Sequence, residues 1–163
     1  MGNQNQVGGY SVSIGVTPTI STSAYTTNFQ LGGIQTLTSA CQYNGATSNL
    51  KSLIVIDNDN QAASISIFFF NQLPTIISTD HNGFAVSTSE LSGKCVGVAR
   101  VSSSNYDTTT SSAVATVFTP SCSLAMRSLT DGGHLYAVAK VTSTPTYSST
   151  SSLKFVYLFA QDL

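Results

Sequence analysis

The sequence predicts an all-β fold: a single-domain antiparallel β-sandwich, jelly-roll-like, with an extended N-terminal arm. Three observations carry that prediction. Apolar residues recur with a period of two along most of the chain, as in Ser64-Ile65-Ser66-Ile67. Turn-forming clusters separate these runs: Asn44-Gly45, Asp57 to Asn60, Asn82-Gly83 and Asp131-Gly132-Gly133. No stretch of a dozen residues holds the i, i+3, i+4, i+7 spacing of an amphipathic helix. Many short strands with turn-rich spacers make a sandwich or jelly roll.

The elements follow in order. Residues 1–29 are polar and free of charge, carry Gly8-Gly9, and are set apart as an extended arm; 30–163 form the sandwich. Within the arm, 11–16 places Val12, Ile14 and Val16 on one face. Residues 34–38 are a weaker strand candidate, and 53–56 and 64–70 are stronger ones, rich in β-branched and aromatic side chains. Ser87-Thr88-Ser89-Glu90 has capping-box spacing ahead of Leu91 and predicts one helical turn before Gly93. Strands are expected again over 95–101, 113–118, 135–142 and 153–160. The Ser/Thr-rich stretches 102–112 and 142–152 read as solvated loops at one end of the sandwich.

Two strands are apolar on both sides. Alternation sends Phe69 with Ile65 and Ile67, and Phe68 and Phe70 to the opposite face. Leu153, Phe155, Tyr157 and Phe159 line one side of the last strand, with Val156, Leu158 and Ala160 on the other. Strands apolar on both sides are covered on both sides. One side is the core; a loop of the chain, the N-terminal arm or another chain must cover the other.

Composition excludes several functions. Thirteen of 163 residues are charged, or 8%, about a third of the usual fraction. Ser and Thr together number 47. A net charge of −1 with six scattered basic residues cannot supply the phosphate-neutralising stripe of a nucleic-acid binder. No apolar run approaches the roughly 18–20 residues of a membrane span. No signal peptide is visible at the N-terminus, and Gly2 lacks the Ser or Thr that myristoylation wants where Gln6 stands.

Catalytic and metal motifs are equally scarce. His81 and His134 each sit in a turn, no G-x-S-x-G elbow is present, and Cys41, Cys95 and Cys122 are widely spaced, reading as reduced small hydrophobes. Asp57 and Asp59 begin a D-x-D pattern, but Gln61 and Ala62 break the calcium-loop template, so a hairpin turn explains them better. The expectation is a non-enzymatic protein with no cofactor and no metal, working by surface contact. Uncharged, hydroxyl-rich faces suit that, because interface cores are depleted of charge.

The run Leu53-Ile54-Val55-Ile56-Asp57-Asn58-Asp59-Asn60-Gln61, the strand 65–70 and then Asn71 and Pro74 resemble a segment common among tailed-phage virion proteins. Leu135-Tyr136-Ala137-Val138, Thr144-Pro145-Thr146-Tyr147 and the strand leading to Gln161-Asp162 resemble that group's C-terminal end, and 90–98 keeps its spacing. The resemblance spans about 31–163 and implies a head decoration, or cement, protein. Such a protein would be a homotrimer on the outer capsid surface, bound to the major capsid protein at capsomer junctions and assembled in the host cytoplasm. The resemblance supplies no catalytic residues. In that setting Val7, Tyr10, Val12, Ile14 and Val16 of the arm are expected to reach a neighbour, so removing 1–16 should release the protein from particles with its fold intact. Phe68, Phe70, Val156 and Leu158 complete the expected interface. A receptor- or glycan-binding head-fibre or tail module is the alternative, with Tyr10, Tyr25, Tyr43, Tyr106 or Tyr147 stacking on sugar rings.

Overall fold

A computed structural model describes residues 10–75, 77–118 and 124–162; Val7 and Cys122 lie outside them. The described residues form ten strands and one short helix: β1 (Tyr10–Val16), β2 (Gln30–Leu37), β3 (Thr47–Asp57), β4 (Ile65–Phe70), α1 (Thr88–Lys94), β5 (Cys95–Val101), β6 (Tyr106–Thr108), β7 (Ala113–Phe118), β8 (Leu124–Arg127), β9 (Leu135–Val141) and β10 (Leu153–Gln161). All pairings are antiparallel. One sheet runs β1-β10-β3-β7-β6, with β8 also on β3, and the other runs β2-β9-β4-β5. Setting aside the short β6 and β8, one sheet takes the first, last, third and sixth long strands and the other the second, seventh, fourth and fifth. That interleaving is the connectivity of a double Greek key, so the sandwich is a jelly roll.

The core forms as alternation predicts. Phe155, Tyr157 and Phe159 of β10, Leu53 and Val55 of β3, and Ile65, Ile67 and Phe69 of β4 are buried in one cluster between the sheets. The Phe69 and Tyr157 rings meet edge to face at 5.9 Å. Each such side chain contributes roughly 1.5–3 kcal/mol on burial. The Tyr157 hydroxyl donates to Gln35 Oε1 at 2.7 Å inside this core, so the phenol is buried with its polar end satisfied.

Several boundaries differ from expectation for local reasons. β1 is not a free arm: all seven of its residues pair with β10, and Val12, Ile14 and Val16 face the core beside Phe159, Tyr157 and Phe155. Removing it would strip β10 of its partner on one side, so deletion of 1–16 should destabilise the sandwich instead of leaving its fold intact. β2 starts at Gln30, earlier than its alternation suggests, because a bulge between Leu31 and Gln35 breaks the period of two. Gly32 sits in that bulge at φ 74°, and a side chain there would run into Pro18. The 102–112 stretch holds a 3-10 turn (Ser103–Asn105) and β6, and β8 was likewise not expected; both strands are too short for a periodic signal. α1 begins where its cap predicts, with the Glu90 N–H donating to the Ser87 hydroxyl, and continues through Gly93 to Lys94.

Four connections meet at one end of the sandwich: 17–29, 58–64, 102–112 and 142–152. The turn after Asp57 crosses from one sheet to the other and is not a hairpin. Asp57 is fully buried, and its carboxylate accepts the N–H groups of Asp59, Gln61 and Ala62, each at 2.9 Å. Burial pushes its carboxyl above the usual range, with the three donors pulling part of the way back. Asp59 instead accepts the Ser148 hydroxyl at 2.6 Å and the Ser148 N–H at 2.7 Å, which hold its carboxyl below the usual range. Tyr25 N–H donates to Pro145 O, Ser103 N–H to Ser64 Oγ, and Asn60 Nδ2 to Thr109 O, so all four connections are tied to one another. At the opposite end the Cys41 N–H donates to Gly133 O at 2.8 Å.

Two predictions follow from these ends. Gly133 has φ 69°, and a Cβ there would overlap the Cys41 carbonyl. Gly133→Ala should therefore lower the unfolding free energy by more than about 2 kcal/mol in urea titration. For Asp59 the depressed carboxyl contributes stability above the unfolded value of 3.8 and loses it as pH falls through the lower folded value. Asp57 has the opposite sign: its raised carboxyl lets stability fall as pH rises from 3.8 to the folded value, and nothing changes above that. The melting-temperature gap between wild type and Asp59→Asn should thus be full at pH 6 and close on acidification below 3.8. A gap independent of pH would refute the Ser148 tie.

Candidate assembly faces

The two outer faces of the sandwich are treated differently. The β2-β9-β4-β5 face has its own cover. Phe70 is fully buried beside Tyr136 and Val138, and Ile77, Phe84 and Val86 of the segment after β4 pack onto it with Ile34, Phe68 and Cys95. Phe68 and Phe84 rings lie 4.8 Å apart, with Lys140 Nζ 5.9 Å from one and 5.8 Å from the other. That segment is anchored at many points. Asp80 Oδ1 accepts the Tyr25 hydroxyl and the Gly32 N–H, each at 2.6 Å, and Phe84 N–H donates to Asn28 O at 2.7 Å. Buried Glu90 accepts the Thr75 N–H and hydroxyl and meets Lys94 Nζ at 3.0 Å. Phe68 and Phe70, expected to meet another chain, are thus covered by this chain's own 71–87 segment.

The β1-β10-β3-β7 face is different. Its outward row holds Val156 and Leu158 of β10, Ile54 and Ile56 of β3, and Val114 of β7. The register sets Val156 opposite Ile54 and Ile56 opposite Val114, which makes the apolar positions contiguous across three strands. Val114 is 36% exposed and the other four are half-buried. None of the five packs into either buried cluster among the described residues. Gly15 and Ser13 of β1 extend this face beside Val156 and Leu158. The expected interface residues among those described therefore separate: Val12, Ile14 and Val16 face inward at a sheet edge with Tyr10 exposed at its head, Phe68 and Phe70 lie under a loop, and Val156 and Leu158 are half-buried on the outer face of the other sheet. Ile54, Ile56 and Val114 share that outer face without belonging to the expected interface. Their alternation within 53–56 and 113–118 was the available signal, since apolar neighbours at i and i+1 mark a strand apolar on both sides.

The groups considered for chemistry are occupied structurally. His81 Nε2 carries its proton and donates to the Ala24 carbonyl at 3.0 Å, between the rings of Tyr25 and Phe29. His134 Nδ1 accepts the Ser39 N–H at 3.1 Å. Cys41 is buried with Sγ 3.3 Å from Ser48 Oγ, and Cys95 is half-buried; both are free thiols. Among the described residues no three His, Cys, Asp or Glu side chains converge as metal ligands would. Of the tyrosines considered for sugar stacking, Tyr25 and Tyr147 are buried and Tyr106 is half-buried, and burial pushes all three phenols above their usual range. Tyr10 and Tyr43, 63% and 57% exposed, remain on the surface.

No family model matches the chain, and no curated protein matches it. Among solved structures, the chain is similar to one of tomato aspermy virus, at 11% identity and a TM-score of 0.47, over 100% of this chain and 82% of that one. It is also similar to one of Desmodium yellow mottle tymovirus, at 13% identity and a TM-score of 0.29, over 94% of this chain and 82% of that one.

Proposed function

We propose that this chain is a non-enzymatic virion structural protein, a capsid decoration or cement protein. In this reading it lies on the outer capsid surface over capsomer junctions and stabilises the head. The observation that carries the reading is the outer β1-β10-β3-β7 face, where Ile54, Ile56, Val114, Val156 and Leu158 form a contiguous set that joins neither buried cluster of the described residues, on a molecule that covers its other apolar face itself. Contiguous exposed apolar surface on a folded domain marks a contact site. The scarcity of charge fits the same role, because packing against repeated neighbours buries little that resists desolvation. The resemblance to tailed-phage head proteins names the neighbour as the major capsid protein and the self-assembly as a homotrimer.

The mechanism is mechanical. A shell of repeated subunits fails at its seams, and an oligomer seated across a seam ties adjacent capsomers together. A single interface of about 1,600 Å² gives an affinity set by its best contacts, not its area. Linked copies raise occupancy further, because the second and third contacts become intramolecular.

Leu158→Asp places a carboxylate in the middle of the proposed contact while leaving the core row of β10 intact. Added back to particles lacking the protein, this variant should occupy them at least tenfold less than wild type, with an unchanged melting temperature. Wild-type occupancy should reach hundreds of copies per particle and vary little between 50 and 500 mM salt, since there is little charge to screen. Full occupancy by Leu158→Asp would defeat the assignment of this face, and a dozen copies or fewer would favour the tail or fibre alternative.

A further inference from the structure

A β-strand at the edge of a sheet offers unpaired N–H and C=O groups to any extended chain, and folded proteins blunt such edges with charge, proline, bulges, short length or cover. Most edges of this sandwich are blunted. β2 is broken by the bulge between Leu31 and Gln35, and its start is engaged by the 81–84 segment through the Gln30 N–H to Asn82 O and His81 N–H to Gln30 O bonds. β5 has a register shift near Cys95 and carries exposed Arg100. β6 is three residues long and contains Asp107; β8 is four residues long and ends on exposed Arg127.

β1 has none of these devices. Its seven residues, Tyr-Ser-Val-Ser-Ile-Gly-Val, contain no charge and no proline, and they pair with β10 without a single register shift. Among the described residues nothing pairs with its far edge. Lys154 of β10 lies where a Gly15 side chain would stand, over the outer face of the sheet. Val12, Ile14 and Val16, although turned inward, are only half-buried, and Tyr10 at the head of that row is 63% exposed. Among the described residues, both the backbone edge and the apolar row beside it are incomplete.

We infer that β1 joins a second copy of this chain through antiparallel β1–β1 pairing about a two-fold axis. The strand's own pattern selects this occupant. A two-fold axis perpendicular to the sheet keeps both inward rows on the same side, so residues of like parity face each other. Centred on Ser13, the register matches all seven residues and sets Val12 against Ile14 of the partner subunit and Tyr10 against Val16 of the partner subunit. Apolar meets apolar at every inward position. An isologous contact also sets each charge on the axis against its own copy, which only an uncharged strand tolerates without repulsion. A head-to-tail contact would need a second, equally regular edge, and β2, β5, β6 and β8 do not provide one.

This inference deepens the assembly reading proposed above, on which it rests for the purpose the pairing serves. The two β1-β10-β3-β7 sheets would become continuous, bringing the outer faces of two copies onto one platform. In place of the homotrimer that the resemblance implies, the pairing gives an even number of copies: two, or six where a three-fold axis made through other surfaces joins three pairs.

Sedimentation equilibrium of the full chain, with Ser13 variants, tests the pairing. Ser13 is exposed and points to the outer face, and the register places it opposite its own copy. Wild type should sediment at an even multiple of 17.0 kDa. Ser13→Lys and Ser13→Glu should each halve that mass, and mixing the two should restore it, with native mass spectrometry showing one of each variant in every pair. Ser13→Ala should leave the wild-type mass unchanged. Wild type at one or three copies, or a mass that Ser13→Lys does not alter, would overturn the inference. If particle occupancy persists in either of those cases, the pairing fails while the assembly reading stands. A wild-type monomer that also fails to occupy particles removes both.

Discussion

The larger sheet depends on a single placement: the last strand of the chain lies between the first and the third. β10 pairs with β1 on one side and β3 on the other, and its Phe155, Tyr157 and Phe159 form the centre of the buried cluster. Until β10 is in place, β1 has no partner among the described residues and the core lacks its largest aromatic row. The pairing joins residues up to 151 positions apart, as Tyr10 and Gln161 show. Such non-local contacts are formed against the full cost of loop closure, so this topology is a slow folder compared with a helical bundle. The bulge between Leu158 and Phe159, which leaves Lys51 as the extra residue on β3, adjusts the twist where β8 takes over from β7 along β3.

The same placement explains the asymmetry of the two outer faces. The 71–87 segment that leaves β4 belongs to the smaller sheet and folds back over it, where Asp80, Glu90 and Lys140 fasten it. With Lys94, whose Nζ meets Glu90 and donates to Leu73 O, four of the thirteen charged side chains are engaged in covering one face. Among the described residues no comparable insertion lies over the larger sheet: 58–64, 102–112 and 142–152 are drawn together at one end by Asp57, Asp59 and serine hydroxyls. The hydroxyl-rich composition therefore serves two purposes. It locks loops through short side-chain to backbone bonds, and in the proposed assembly it leaves little charge to desolvate.

Much of the fold was legible in the sequence. The strands over 95–101, 113–118, 135–142 and 153–160 lie within a residue or so of their expected limits, because each alternates or is continuously apolar. The division of Phe69 from Phe68 and Phe70 was legible for the same reason. β6 and β8 were not, since three or four residues cannot express a period, and β2 was obscured by its bulge. The arm looked detached because polar residues alternate with apolar ones there as they do in any exposed strand; the half-buried row of an edge strand has no stronger signature.

The sequence by itself determined the all-β class, the face to which each long strand turns its side chains, the helix cap at Ser87, and the need of β4 and β10 for cover on both sides. Alternation is a property of the local backbone, so local residues are enough to establish it. Only the tertiary structure decided the strand order, the attachment of β1, and which of the two outer faces the chain covers for itself. Those outcomes rest on contacts such as Tyr157 with Gln35, 122 residues apart, and Asp59 with Ser148, 89 apart. A spacing of two along the chain carries no information about which distant strand will stand opposite.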